Sequence, residues 1–268
     1  MRGSQGHAAS GHSWAPLSCF ALLPSTLLAC SGGATVAPPV PLEVASEKVT
    51  FGTIQDLGGF VFQSSTRDER TANGKTTVVE TAVSLKWRDR DLWEYQAVRG
   101  GKPTTHWLVA NGAAWVGLSG APLASRGDPE PFRQQLALGW DPWEDVVAAT
   151  GGRIAFGPGT EEVVEGRPAL RHDVSLEAAP PAATAPRVIR GQALVPTGLS
   201  GTVWIDRQSA VRVLADVTAT AGAPTAAGST APPRTRSLSV KLAVTGLGQD
   251  PGVAVPPGVS PPLSPGSP

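Results

Sequence analysis

The chain has 268 residues, in which 22 lysines and arginines balance 22 aspartates and glutamates without any run of like charge. That balance excludes the basic stripe a nucleic-acid-binding surface needs and the cationic patch that docks on anionic lipid. Glycine occurs 31 times and proline 26 times, a composition of strands joined by turns. The length suffices for the core of one large domain or two small ones.

The only cysteines are Cys19 and Cys30. Trp14 to Ala29 is apolar and uncharged, but Pro16 and Pro24 break it and it is too short to span a membrane. Residues 1–29 therefore read as a signal peptide. It ends in Leu27, Leu28, Ala29 and Cys30, which resembles the bacterial lipobox and implies lipid attachment at Cys30. More than one acyl chain is expected there, since a single chain anchors only marginally. Ser31 stands where an aspartate signals inner-membrane retention in some bacteria. The expected location is thus the cell envelope, lipid-anchored and facing the periplasm, with the outer membrane favoured over the inner. Residues 30–43 form the lipidated N-terminus and a flexible tether, residues 44–257 a single β-rich domain, and residues 258–268 a proline-rich tail.

Within the domain the dominant signal has period two. Thr77, Val79, Thr81, Val83, Leu85 and Trp87 share one face of a long strand. Asn73-Gly74, Gly100-Gly101 and Asn111-Gly112 supply hairpin turns, so Gly58 to Ser119 reads as a five-strand antiparallel meander. Two short helices follow. Asp128-Pro129-Glu130 starts the first, ahead of Phe132 and Leu136; Asp141-Pro142-Trp143-Glu144 starts the second, which Gly151 stops. Strands are then expected at 161–164, 169–178, 201–206, 211–220 and 235–247. Low-complexity loops fall near 178–187 and 221–234.

Chemistry-bearing residues are sparse. His172 lies on the apolar face of its strand and reads as a core histidine, and neither it nor His106 has a companion at metal-ligand spacing. Ser119 in GLSGA and Ser200 in GLSGT lack the second glycine of a nucleophile elbow. The acid pairs Asp89/Asp91, Glu144/Asp145 and Glu161/Glu162 read as solvated. No enzyme activity, metal or cofactor is expected. Tryptophan is more informative, at positions 87, 93, 107, 115, 140, 143 and 204 of the expected mature chain. Core filling is one explanation; wide apolar walls of a cavity between a curved sheet and covering helices is the other.

The run Gly201-Thr202-Val203-Trp204-Ile205-Asp206, the return strand at Val211-Arg212-Val213, the long strand from Ser237 to Thr245 and the closing Val255-Pro256-Pro257 resemble the C-terminal pattern of the LolA/LolB-like lipoprotein and lipid-carrier group, LppX-type lipoproteins included. Trp87, Tyr95 and the hairpin Asn111-Gly112-Ala113-Ala114-Trp115 are similar to its N-terminal half. The resemblance implies a mainly β fold: a curved antiparallel sheet forming an incomplete half-barrel, with short helices covering its concave face and acyl chains bound in the hollow. Leu42 to Leu57 stands where the group opens with an amphipathic helix. Candidate ligand-lining residues are Phe60, Phe62, Leu85, Trp87, Trp107, Trp115, Trp140 and Trp143. Two functions stay open: a non-enzymatic, membrane-anchored envelope lipoprotein that binds or carries a lipid or other apolar ligand, or a structural adaptor with a filled core that binds an envelope protein.

Overall fold

In a computed structural model the described residues are 54–178, 187–189, 192–223 and 233–256. The signal peptide, Cys30, the tether, most of both low-complexity loops and the tail lie outside them. Of the expected opening helix, Ile54 and Gln55 are described and helical, with Ile54 fully buried in the main core.

Six strands come first: β1 (Phe60–Ala72), β2 (Lys75–Asp89), β3 (Leu92–Arg99), β4 (Lys102–Ala110), β5 (Ala113–Gly117) and β6 (Ala124–Gly127). Helices α1 (Glu130–Gly139) and α2 (Trp143–Thr150) follow. The chain continues through β7 (Ile154–Phe156), β8 (Thr160–Val164), β9 (Arg167–Leu176), β10 (Arg187–Ile189), β11 (Gln192–Asp206), β12 (Arg212–Gly222) and β13 (Thr235–Thr245). The strands form one antiparallel sheet in the order β6-β5-β4-β3-β2-β1-β13-β12-β11-β9-β7, with β8 on β9 and β10 on β11. β6 and β7 end that path without pairing to each other, so the sheet is open rather than a closed barrel.

The meander is as expected, and its turns show why. Asn73 and Gly74 have φ of 53° and 72°, Asn111 and Gly112 52° and 75°, the paired positive values of a type I′ turn. Differences from the expected strands have physical causes. β11 has 15 residues because its first half continues through Pro196 and Gly198, which break the alternation and coincide with a register shift against β12. β6, β7 and β10 are too short to leave a periodic signal.

An aspartate stands just before the N-cap proline of each helix. Asp128 accepts from the Glu130 N–H and Asp141 from the Trp143 N–H, each at 2.9 Å. Gly151, in the left-handed region, ends α2. The helices bury Leu136, Trp140, Trp143, Val146 and Ala149 against one face of the sheet. That face is built by the even positions of β1 from Phe60, the odd positions of β2 from Trp87 back to Thr77, and Val217, Val240 and Leu242 beyond β1. A second, smaller cluster of Leu108, Ala110, Ala113 and Trp115 lies on the reverse face, packed by Leu123 and by Val253 of the closing segment.

Two positions hold the C-terminal half together. Gly201, at φ +135°, brings β11 so close to β12 that a Cβ would stand 2.2 Å from the Asp216 carbonyl oxygen. Gly201→Ala should therefore lower unfolding free energy by about 2–3 kcal/mol, comparable to other strained backbone positions, as measured by urea denaturation. Asp206 is fully buried and accepts two bonds from Arg167 (2.9 and 3.1 Å) and two from Ser209. Burial pushes its carboxyl up, but the Arg167 and Ser209 bonds outweigh that and hold it below the usual carboxylate range. A lowered folded value means the stabilisation is complete above the ordinary carboxylate range and is lost as pH falls through the folded value. Asp206→Asn should cost about 2–4 kcal/mol at neutral pH. Its stability should also fall less steeply with acidification than the parent's, a difference read from denaturation midpoints at a series of pH values.

Candidate functional site

The aromatic candidates are mostly packed against one another. Phe60 stacks on Trp87 with ring centres 6.5 Å apart, and Trp87 on Trp93 at 6.3 Å. Phe62 meets Trp140 edge-on at 4.9 Å, Tyr95 stacks on Trp107 at 5.0 Å, and Phe132 of α1 meets Trp107 edge-on at 5.6 Å. Phe60, Phe62, Leu85, Trp87, Trp140 and Trp143 are buried in the main core, and Trp107 packs on its margin. Trp115 is opposite Leu108 on the reverse face, apart from the other seven. Strand parity explains this: Trp107 and Val109 face the helices, and residues paired with Leu108 face away.

Beside this packed region the same face opens into a cavity of about 500 Å³, within the range of small-molecule sites. One wall is the upper part of β1, β2 and β3, and the other is the α1–α2 corner. Of the eight candidates only Trp140 lines it. Its lining mixes apolar Val79, Val83, Tyr95, Trp140 and Leu238 with Ser64, Thr66, Thr77 and Thr81 and several charges. Burial raises the Tyr95 hydroxyl's pKa, which keeps it a neutral group.

The charges are ordered. Asp68 accepts from Arg70 (Nη2 at 2.5 Å) and from Arg236 (Nε at 2.9 Å, Nη2 at 3.1 Å), with Arg236 almost wholly buried. Burial pushes the Asp68 carboxyl up, and the two arginines more than reverse this, holding it below its ordinary value. Across the cavity, Asp141 bonds Arg212 at 2.9 Å, both side chains at most 5% exposed. The Arg212 guanidinium also lies 4.6 Å over the Trp143 ring. Burial lowers the Arg212 pKa, opposed by the Asp141 charge. Glu144 and Asp145, in the first turn of α2, complete this wall.

Asp68, Arg70 and Arg236 escaped the sequence reading. The signal was there in parity: Ser64, Thr66, Asp68 and Arg70 continue the alternation of Phe60 and Phe62, and Arg236 shares the face of Leu238. Charges on a covered face are what a site or a buried pair requires.

Other singled-out residues do not assemble into a catalytic unit. Ser119 donates to Gln96 at 2.9 Å, while His106 Nε2 bonds Glu94 at 2.9 Å. Ser200 is exposed on β11 beside Gly201. His172 is buried as expected, its Nδ1 on the Gly157 carbonyl oxygen at 2.9 Å and its ring edge-on to Phe156. Asp89 and Asp91 sit at the β2–β3 turn, where Asp91 bonds Arg133 of α1. Among the described residues no group of three His, Cys, Asp or Glu side chains could hold a metal ion. No described helix is long and apolar enough to cross a membrane.

No protein-family model matches the sequence, and curated proteins yield no match. Solved structures do. The MucA/MucB complex of Pseudomonas aeruginosa is 12% identical over 74% of this chain and 55% of its own, with a TM-score of 0.23. A DUF1329 family protein from Desulfovibrio piger is 11% identical over 80% and 95%, at 0.23. A LolA superfamily protein from Nitrosomonas europaea is 8% identical over 74% and 93%, at 0.17. The chain spans between 52% and 61% of the MucB chains it matches. The open antiparallel sheet with its short helices is the architecture expected from the residues. At such TM-scores the cavity has to be read from its own geometry.

Asp141 is the residue on which the helix wall depends. Asp141→Ala should cost about 3–5 kcal/mol, because it strands a buried guanidinium as well as uncapping α2. Adding Arg212→Met should recover most of that loss in chemical denaturation, and no recovery would show that the cap and not the pair carries the effect.

Proposed function

We propose that the protein is a non-enzymatic envelope lipoprotein, anchored through Cys30, whose half-barrel binds an amphipathic ligand in the cavity between β1–β3 and the α1–α2 corner. The observation that carries the reading is that cavity of about 500 Å³, lined by apolar and polar side chains together. In the tryptophan region Phe60, Trp87 and Trp93 stack on one another. The ligand instead lays its apolar part on Val79, Val83, Tyr95, Trp140 and Leu238 and turns its polar part to the mouth. The signal peptide and lipobox support an envelope address, with the outer membrane the favoured surface. The separate hydrogen bonding of Ser119 and His106 supports a binding rather than a catalytic role.

The second reading, an adaptor that binds an envelope protein, is favoured by the filled tryptophan core alone. The two are told apart by ligand. Protein carrying Cys30→Ser, purified without detergent, should release a bound amphiphile on solvent extraction and mass spectrometry. It should also take up fluorescent acyl amphiphiles, seen as energy transfer from tryptophan. Thr81→Trp, which places an indole in the cavity, should reduce uptake by about tenfold or more, the loss expected when a pocket is filled, with its thermal midpoint unchanged. Absence of both bound and taken-up amphiphile would sink this reading and leave the adaptor.

A further inference from the structure

Composition averages the charges of the chain, and strand pairing separates them. The β1–β2 turn, the β3–β4 turn and the start of β13 lie at one end of the sheet. Lys75, Arg99, Lys102 and Arg234 stand there, all exposed and without an ion pair among the described residues. No acid occurs at 71–79, 95–105 or 219–237. At the opposite end the turns carry Asp89, Asp91, Glu165 and Asp250, and the arginines are engaged: Arg88 with Asp89, Arg90 with Glu130, Arg207 with Glu161. Carboxylates nearer the cationic end are matched by other groups. Asp68 takes Arg70 and Arg236, while Glu69 and Glu80 share Arg67. Glu144 and Asp145 of α2 have partners, and the Asp145 charge acts on Arg70. Glu177 follows β9, three strands beyond β13.

Arg99 is opposite Lys102 across its turn, and by strand parity both share the cavity's face with Lys75. From β13 to β4 the cations cross four strand spacings, about 19 Å. Side chains so spread cannot converge on one small anion; they fit a surface that is anionic over a comparable extent. We propose that this end of the sheet docks on a bilayer containing anionic lipid. Each lysine or arginine near such a surface strengthens attachment about fivefold, so four of them give docking that salt weakens. The exclusion of a cationic patch drawn from composition holds for the chain as a whole and not for this end. Arg99 also lines the cavity, so docking brings the cavity beside the lipid head groups. The inference stands on the exposed charges and does not need the cavity to be occupied.

The test is co-sedimentation of the Cys30→Ser protein, which lacks the anchor, with vesicles of phosphatidylcholine alone or mixed in equal parts with phosphatidylglycerol. The acidic vesicles should bind about tenfold or more tightly than the neutral ones, and added salt should remove the difference. Lys102→Gln and Arg234→Gln, neither of which touches the cavity lining, should each weaken binding to acidic vesicles about fivefold. Both variants should keep the parent's thermal midpoint and its uptake of amphiphile from solution. Arg90→Gln with Arg207→Gln, which removes the same charge from the opposite end, should leave vesicle binding unchanged. Equal binding to neutral and acidic vesicles would overturn the proposal. So would equal losses from variants at the two ends, which would show an effect of net charge and not of this surface. Binding to soluble polyglutamate as tight as to the vesicles would also overturn it, by assigning the cations to an acidic protein. Amphiphile uptake is read separately, so failure of docking leaves the cavity's ligand untouched.

Discussion

One oxygen of Asp141 takes the Trp143 N–H and the other takes Arg212, and the position of both helices follows from that division. The first bond starts α2; the second pins its start to β12. Trp143 covers the guanidinium with its ring, which removes the pair from water and sharpens its geometry. A buried pair of this kind adds little net stability over an apolar substitute, because desolvation offsets the attraction. What it adds is placement. An apolar helix could slide along the alanines and valines of β12 and β13, whereas a guanidinium bonded to Asp141 fixes the helix start at one place. The α1–α2 corner is thereby held above the upper sheet, and the cavity is the space that remains.

The inner face divides along the length of its strands. Toward the start of β1 it presents Phe60, Phe62, Trp87 and Trp93, which are buried in the main core with the helix residues. Toward the β1–β2 turn the side chains become serine, threonine, aspartate and arginine, and nothing described fills the space above them. The helices bury what is apolar and stop where burial would strip water from charges. Hydrophobic burial and the cost of desolvation set the boundary between core and cavity.

Much of this was legible in the residues. Period-two alternation, Asn-Gly turns and aspartates before the helices give the meander, the helix starts and the open antiparallel architecture, because each is local. Trp115 shows where local reading stops: its face depends on register with β4, and tryptophan's apolar character is the same on either side. Asp68, Arg70 and Arg236 show the other limit. Asp68 and Arg236 meet only because β1 and β13 are neighbours, and no local pattern joins residues so far apart along the chain. Such charges look solvated until their strands are paired.

That neighbourhood also orders events in time. β13, the last strand, lies between β1 and β12 as the central seam of the sheet. Until it emerges, the meander has an unpaired inner edge, Asp68 has no Arg236, and β12 has no support on that side. Long-range pairing of this sort is slow and comes late. The sheet is therefore complete only when the final strand is in place, and the halves on either side of the seam are joined last.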